Sequence, residues 1–345
     1  MAKKLSIGCI GCGYWGPNLI RNFNSIPDCE IRTVCDASEE RLEHMRSLYR
    51  DVRTVTDYRQ IIDDEKIDAV IIATPIRTHY NLARESLLAG KHTFVEKPLA
   101  ASVAECEELC QLARENGLIL MVGHTFIYTP AVRYIKSLID NGELGEIYSI
   151  QCSRLNLGLF QKDINVAWDL APHDLSIILY ILNETPKAVN CQGKAHINPG
   201  LEDVTCMTLD FESGAFATVQ SSWLDPNKIR KMTIVGSKRM VVYDDIESQE
   251  KIKMFDKRVE TPPHYDTFGE FQYSYHYGDI NIPYIRQVEP LRIECQHFLD
   301  CINKKTTCDS SCQDGTNVVR ILEAASESLE QGGARILLDN QYALR

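Results

Sequence analysis

The sequence predicts an α/β protein: a doubly wound parallel sheet over residues 1–123, then an α+β domain over residues 124–345 built on an antiparallel sheet. Three observations carry this reading. An apolar run at 4–10 breaks into a glycine turn and then a helical pattern. Up to about residue 123, short β-branched runs alternate with helical stretches, as parallel strands joined by crossover helices require. Beyond residue 140 the runs follow one another through hairpin turns with little helix between them.

The first run, Leu5-Ser6-Ile7-Gly8-Cys9-Ile10, enters Gly11-Cys12-Gly13-Tyr14-Trp15-Gly16, after which Leu19, Ile20 and Phe23 share one helix face. Gly11, Gly13 and Gly16 have G-x-G-x-x-G spacing, which is informative only between a strand and a helix, and it stands there. The first glycine allows the turn, the second admits a pyrophosphate to the backbone, and the third lets helix pack on strand. The phosphates would meet the N–H groups and positive dipole end of the helix, with Tyr14 and Trp15 in the same turn. The next run, 30–35, ends at Asp36, where an acid binds a dinucleotide's ribose hydroxyls. A carboxylate there repels a 2′-phosphate, so NAD is the expected cofactor. Arg41, close along the chain, keeps NADP as the alternative.

Runs at 52–55, 69–73, 92–95 and 118–122 supply the remaining parallel strands, and their lack of alternation means a sheet covered on both faces. Ser102 and Glu105 form a capping box for a helix carrying Leu109, Leu112 and Ala113. A helix over 130–140 precedes the change of character. The later runs lie at 146–154, 188–196, 203–211, 215–222, 229–236 and 239–244, with Glu212-Ser213-Gly214 and Gly236-Ser237-Lys238 as hairpin turns. One helix interrupts them at 171–183, with Leu175, Ile178, Leu179 and Leu182 in register. Residues 256–290, rich in Tyr, Pro and Asp without periodicity, read as a long loop, with room in it for a short arm. Helices at 290–303 and 316–331 close the chain.

Composition narrows the function classes. With 345 residues and 44% hydrophobic content the chain can fill real cores, and its net charge of −11 argues against nucleic acid as partner. Met1-Ala2-Lys3-Lys4 runs straight into the first strand, leaving no room for a signal peptide, and no apolar stretch nears the roughly 20 residues of a membrane span. A soluble, cytoplasmic protein is expected. Most of the thirteen cysteines, Cys9, Cys29, Cys35, Cys152 and Cys206 among them, fall in apolar runs as small hydrophobes. Cys9 and Cys12 divide between a buried strand and the glycine turn. Cys308 and Cys312 lie in a polar loop without a nearby His pair. Neither a metal site nor a disulfide is expected.

Two stretches sit at carboxyl ends of predicted parallel strands, where ligands of open α/β sheets bind: Thr74-Pro75 with His79, and Glu96-Lys97-Pro98. A lysine beside a glutamate is ordinarily a solvated charge. In a closed cleft against a nicotinamide it can instead exchange a proton or hydrogen bond with a substrate hydroxyl. In Trp168-Asp169-Leu170-Ala171-Pro172-His173-Asp174, Pro172 fits the first turn of a helix, which places Asp169 at or near the N-cap and His173 one turn later. The pair reads either as a cap with a satisfied histidine or as an acid–base histidine served by a carboxylate.

These motifs together resemble the Gfo/Idh/MocA oxidoreductases, over essentially the whole chain. The resemblance rests on Gly11–Gly16, Ala73-Thr74-Pro75 with His79, Glu96-Lys97-Pro98, Gly142-Glu143-Leu144-Gly145, and Asp169 with His173. It implies a Rossmann domain, an open, mostly antiparallel C-terminal sheet, and assembly through that sheet as a homodimer or homotetramer. It implies further that Lys97 is the catalytic lysine, in a peptide bond to proline that is often cis, and that Asp169 and His173 are the catalytic aspartate and proton-accepting histidine. Where many relatives carry arginines between the residues matching Gly123 and Pro130, this chain has Phe126 and Ile127, then Tyr128. Within the family, Gly13–Asn18 and Trp168–Asp174 resemble a subgroup oxidising C3 of a UDP-N-acetylhexosamine or its uronic acid. Tyr128, Arg154, Asn156 and Asn165 are the expected substrate contacts, each with an ordinary polar face as the alternative. A 3-ketosugar reductase, an inositol or free-sugar dehydrogenase and a non-catalytic regulator are the other readings. The intact trio Lys97, Asp169 and His173 speaks against the last.

Overall fold

In the computed structural model, which describes residues 4–260, 274–304 and 306–338, the alternating runs become a six-stranded parallel sheet. Its elements are β1 (Leu5–Ile10), α1 (Gly16–Asn24), β2 (Cys29–Cys35), α2 (Glu39–Leu48), β3 (Arg53–Val55), α3 (Arg59–Ile62), β4 (Ala69–Ile72), α4 (Ile76–Leu88), β5 (His92–Glu96), α5 (Val103–Glu115) and β6 (Leu120–Gly123). The strand order is β3-β2-β1-β4-β5-β6. The order reverses between β1 and β4, and that switch point is where such sheets bind dinucleotides. Ser102 caps α5 by accepting from Glu105 N, while Glu105 reaches back to Ala101 N.

After a 3-10 turn (Thr125–Tyr128) come α6 (Pro130–Asp140), β7 (Ile147–Leu155), α7 (Val166–Leu182), β8 (Ala188–Lys194), β9 (Val204–Asp210), β10 (Phe216–Ser222), β11 (Ile229–Gly236), β12 (Met240–Asp244), β13 (Ile252–Glu260) and β14 (Ser274–Asn281). α8 (Pro290–Lys304), α9 (Cys312–Glu330) and β15 (Ile336–Leu337) close the chain. The second sheet has nine strands in the order β14-β13-β12-β11-β7-β10-β9-β8-β15, antiparallel except for β7 with β10. α7 packs against β7, β9 and β10. No described helix is long and apolar enough to cross a membrane.

Three sequence expectations change. The chain forms two compact units, residues 1–128 with 288–323 and residues 129–287 with 324–345, rather than two contiguous pieces divided at residue 123. α8 returns to the first unit because its Phe298 completes an edge-to-face trio with Phe23 and Phe94, at centroid separations of 5.7 to 6.3 Å. Within 256–290, expected as a long loop, lie the second half of β13 and all of β14, which pair through their backbones; Ile252 and Met254 are buried at the start of β13, but the side chains of β14 stay largely exposed, so no apolar period marks it. Residues 261–273 of that stretch lie outside the described residues. Finally, α7 begins at Val166, so Pro172 sits inside the helix rather than in its first turn. Pro172 cannot donate to the Trp168 carbonyl, and the packing of Val166, Ala167, Ala171, Leu175, Ile178 and Ile181 offsets that loss.

Candidate active site

The glycine turn is shaped by close approach. Gly11 has φ +102°, and a Cβ there would stand 2.4 Å from the Ala73 carbonyl oxygen, while one on Gly16 would stand 2.0 Å from that of Gly11. Neither position admits a side chain. A Cβ on Gly13 would meet nothing nearer than Arg41 Nη1 at 3.8 Å, so the turn is open on that side. Tyr14 is exposed, Trp15 occupies the N-cap of α1, and Pro17 follows in its first turn, where no donor is lost. Asp36, just past β2, is buried. Its Oδ2 accepts from Cys12 N at 2.7 Å and its Oδ1 from Ser38 N at 2.9 Å, with Arg41 Nη1 3.5 Å from Oδ2. These features fit a dinucleotide: a sterically cleared turn, a helix N-terminus, and a carboxylate fixed at the second strand's end. Asp36→Ser should raise the NADP-to-NAD ratio of kcat/KM by at least roughly tenfold, because the charge opposing a 2′-phosphate goes and Arg41 stays. An unchanged ratio would mean Asp36 is not at the ribose.

Thr74 and Pro75 follow β4, and Pro75 is the extended N-cap of α4. His79 is expected to touch the cofactor, but it turns inward. It is buried, its Nε2 lies 2.7 Å from the Thr74 carbonyl and its Nδ1 2.8 Å from that of Pro98. Both nitrogens are occupied in tying the Thr74–Pro75 loop to the Lys97–Pro98 loop, so His79 positions these loops.

At the ends of β5 and β6 lies a cluster of buried polar groups. The Lys97–Pro98 bond is cis. Lys97 is half-buried and donates its backbone N–H to Glu96 Oε2 at 3.2 Å. Burial pushes the Glu96 carboxyl up to about 7, against the opposing pull of Lys97. On α8, Glu294 is fully buried and accepts from Thr125 Oγ1 at 2.7 Å; burial, reinforced by the Glu96 charge, drives its carboxyl well above the ordinary range. His124 follows β6 directly, and burial, then the Lys97 charge, lowers its pKa to about 3, so it is neutral. Among the described residues, no hydrogen-bond partner reaches Glu96 Oε1, Glu294 Oε1 or either ring nitrogen of His124. Each such atom costs about 1–3 kcal/mol when left unmet. Glu96 and His124 both feel the Lys97 charge and Glu294 feels that of Glu96, a gathering that fits a place where a bound polar group completes the bonding.

The raised Glu96 pKa has a signed consequence. Its ordinary value is 4.5, so between 4.5 and about 7 the folded chain binds a proton that the unfolded chain has released. This contribution to stability is present below pH 4.5 and lost as pH rises through 7, on the order of 3 kcal/mol in all. Glu96→Gln should flatten urea-unfolding stability across that window. A variant whose pH dependence parallels the parent's would contradict the assignment.

In the second unit, α7 carries the other candidates. Its N-cap is Asn165, expected as a substrate contact, and not Asp169. Asn165 Oδ1 accepts from Trp168 N at 3.2 Å and its Nδ2 donates to Glu202 at 2.9 Å. Asp169 and His173, one turn apart on α7, are both half-buried, and Asp169 Oδ2 accepts from Trp223 Nε1 at 3.0 Å. Trp223 is buried beneath Phe160 and escaped the sequence reading, since only the fold brings β10's end to α7.

Two further substrate candidates are otherwise engaged. Arg154 is buried in a bidentate pair with Asp174, Nε to Oδ2 and Nη2 to Oδ1 both 2.9 Å, which ties β7 to α7. Tyr128 is buried in the first unit, its hydroxyl 2.8 Å from Ser310 Oγ and its ring 5.5 Å from that of His297. Asn156 alone keeps a half-exposed side chain outside such a pair, its backbone tied to Ser222 and Asp225.

A Rossmann sheet with a cleared glycine turn, a fixed Asp36 and a lysine at the end of β5 defines an NAD-binding oxidoreductase. Residues 5–124 match the oxidoreductase family with NAD-binding Rossmann fold, GFO_IDH_MocA, and residues 132–242 match the GFO/IDH/MocA C-terminal domain. The chain belongs to the Gfo/Idh/MocA family. It is 26% identical to scyllo-inositol 2-dehydrogenase (NAD(+)) of Bacillus subtilis over 96% of both chains. Among solved structures it resembles UDP-N-acetylglucosamine 3-dehydrogenase GnnA from Acidithiobacillus ferrooxidans, with TM-score 0.79, 22% identity, and 96% of this chain and 99% of that one covered. It also resembles aldose-aldose oxidoreductase from Caulobacter crescentus, with TM-score 0.82, 20% identity, and 97% and 100% covered. At such identities the structural likeness establishes the fold.

Proposed function

We propose that the chain is an NAD-dependent dehydrogenase that oxidises a ring hydroxyl of a sugar, specifically C3 of a nucleotide-linked amino sugar such as UDP-N-acetylglucosamine or its uronic acid. The observation that carries this reading is the end of β5: a half-buried Lys97 amid buried polar atoms of Glu96 and His124 that await partners. NAD, when bound, supplies the hydride acceptor. The roles proposed for the chain are then separate. Lys97 hydrogen-bonds the reacting oxygen and stabilises the charge it gains as its proton leaves. His173 takes that proton as general base, and Asp169, held by Trp223, orients or relays to it. Asn156 is the remaining candidate for a direct sugar contact.

Support for a sugar comes from what the similar proteins act on: an inositol, a UDP-amino sugar and aldoses. The inositol relative, matched end to end, keeps an inositol or free-sugar dehydrogenase as the second reading. The same residues serve a 3-ketosugar reductase run in reverse. We further propose assembly as a homodimer or homotetramer through the face of the second sheet that carries Gln151, Phe216 and Gln220, all exposed.

The test is incubation of purified protein and NAD with UDP-sugars, free sugars and inositols while reduced nicotinamide is followed. Turnover with UDP-N-acetylhexosamines supports the reading, and turnover confined to inositols replaces it. Each mixture is repeated with 2-oxoglutarate and analysed for oxidised sugar, which reveals an enzyme that keeps and recycles its NAD.

A further inference from the structure

We propose that His297, Cys301 and Cys308 form a structural site for a soft divalent metal, zinc being the ion their donor set fits. His297 and Cys301 stand one turn apart on α8 and so project to the same side. Cys308 comes to them from the loop that follows. The three ligand atoms all lie within 4.8 Å of one another, and His297 Nε2 is 3.5 Å from Cys301 Sγ. A tetrahedral zinc with Zn–S about 2.3 Å and Zn–N about 2.0–2.1 Å holds its nitrogen and sulfur ligands about 3.5 Å apart. Cys301 is buried and the other two are half-buried, so the site is shielded yet reachable.

Asp309 lies beside the three without sharing their mutual spacing, so it reaches the fourth corner only by a movement of its side chain. Its Oδ2 lies 3.9 Å from His297 Nε2, and its backbone N–H donates to that same nitrogen at 3.0 Å. Metal binding exchanges this hydrogen bond for coordination. The ligand set is one imidazole and two thiolates, with a water or the Asp309 carboxylate in the fourth position, all within zinc's usual range.

The site has a structural purpose. The stretch it pins continues the parallel sheet: the Ser310 carbonyl accepts from Val122 N at 2.9 Å, and Ser311 forms an antiparallel bridge with Met121. Ser310 Oγ also meets the Tyr128 hydroxyl. A metal joining α8 to this stretch holds the end of β6, from which His124 emerges.

The full-length reduced protein, purified without chelator, is titrated with Co2+ and then Zn2+, and its metal content is measured. One cobalt per chain, with thiolate-to-cobalt charge transfer in the near ultraviolet and tetrahedral d–d bands in the red, is expected; zinc should displace it and raise Tm. His297→Ala and Cys308→Ser should weaken binding by more than the roughly 10–100-fold that losing a supporting group costs. Cys308 is the less buried thiol, so its serine variant guards against misfolding, checked by near-ultraviolet circular dichroism. Cys206→Ser, on an exposed strand position, should leave the bands unchanged. Absence of cobalt bands in the reduced protein overturns the proposal. Bands that survive Cys308→Ser, or recovery of Cys301–Cys308 solely as a disulfide that binds no metal after reduction, overturn it equally.

Discussion

Lys97→Ala should lower kcat by about 10²–10⁴-fold while NAD still binds. The truncation keeps the Lys97 backbone N–H that donates to Glu96 Oε2. Cofactor affinity, read by fluorescence titration, should change little. Lys97→Arg should keep the charge but place it wrongly, recovering only a fraction of turnover. Undiminished activity of the alanine variant would remove Lys97 from the chemistry.

Arg154→Ala should destabilise the protein by about 3–5 kcal/mol, since it leaves the Asp174 carboxylate buried without its counter-charge. Both side chains of the pair are almost wholly shut off from water, at 6% and 7% exposure, so solvent cannot take over. Urea unfolding should show the loss as a lower midpoint. The double variant Arg154→Met with Asp174→Leu should recover much of it, because an apolar pair of similar volume removes both charges together. Were Arg154 a substrate contact instead, the single variant would raise KM at unchanged stability.

Much of the first unit was legible because its signals are local. A run such as Ala69–Ile72, buried throughout, needs no distant information to read as a parallel strand, and Gly11, Gly16 and Asp36 declare themselves by spacing. The failures came where the deciding partner is remote. Arg154 reads as available because its partner Asp174 lies twenty residues on and meets it only through the fold. Asn165 looked like a sugar contact, yet it caps a helix whose start was masked by Pro172. β14 lacks a period because pairing through the backbone, and not burial, makes it a strand, and in β13 only the first half alternates, through Ile252 and Met254. Glu294 was findable: it shares the apolar stripe of α8 with Leu291, Cys295 and Phe298, and a carboxyl on such a stripe requires an explanation. His297 and Cys301 are also one turn apart in sequence, but Cys308 joins them only through the fold.

The return of residues 288–323 to the first unit sets an order of events during synthesis. When residue 128 leaves the ribosome, Phe23 and Phe94 lack Phe298, Val122 N lacks the Ser310 carbonyl, and Asn22 and Arg21 lack Glu289. At elongation rates of about 5–20 residues per second, the missing pieces arrive roughly 10 to 40 s later. Throughout that interval the nascent parallel sheet carries an unfinished apolar flank. Residues 129–287 emerge entirely within it, so the second unit has most of its chain before the first can close, and each unit waits for a late segment: residues 288–323 complete the first, then residues 324–345 the second.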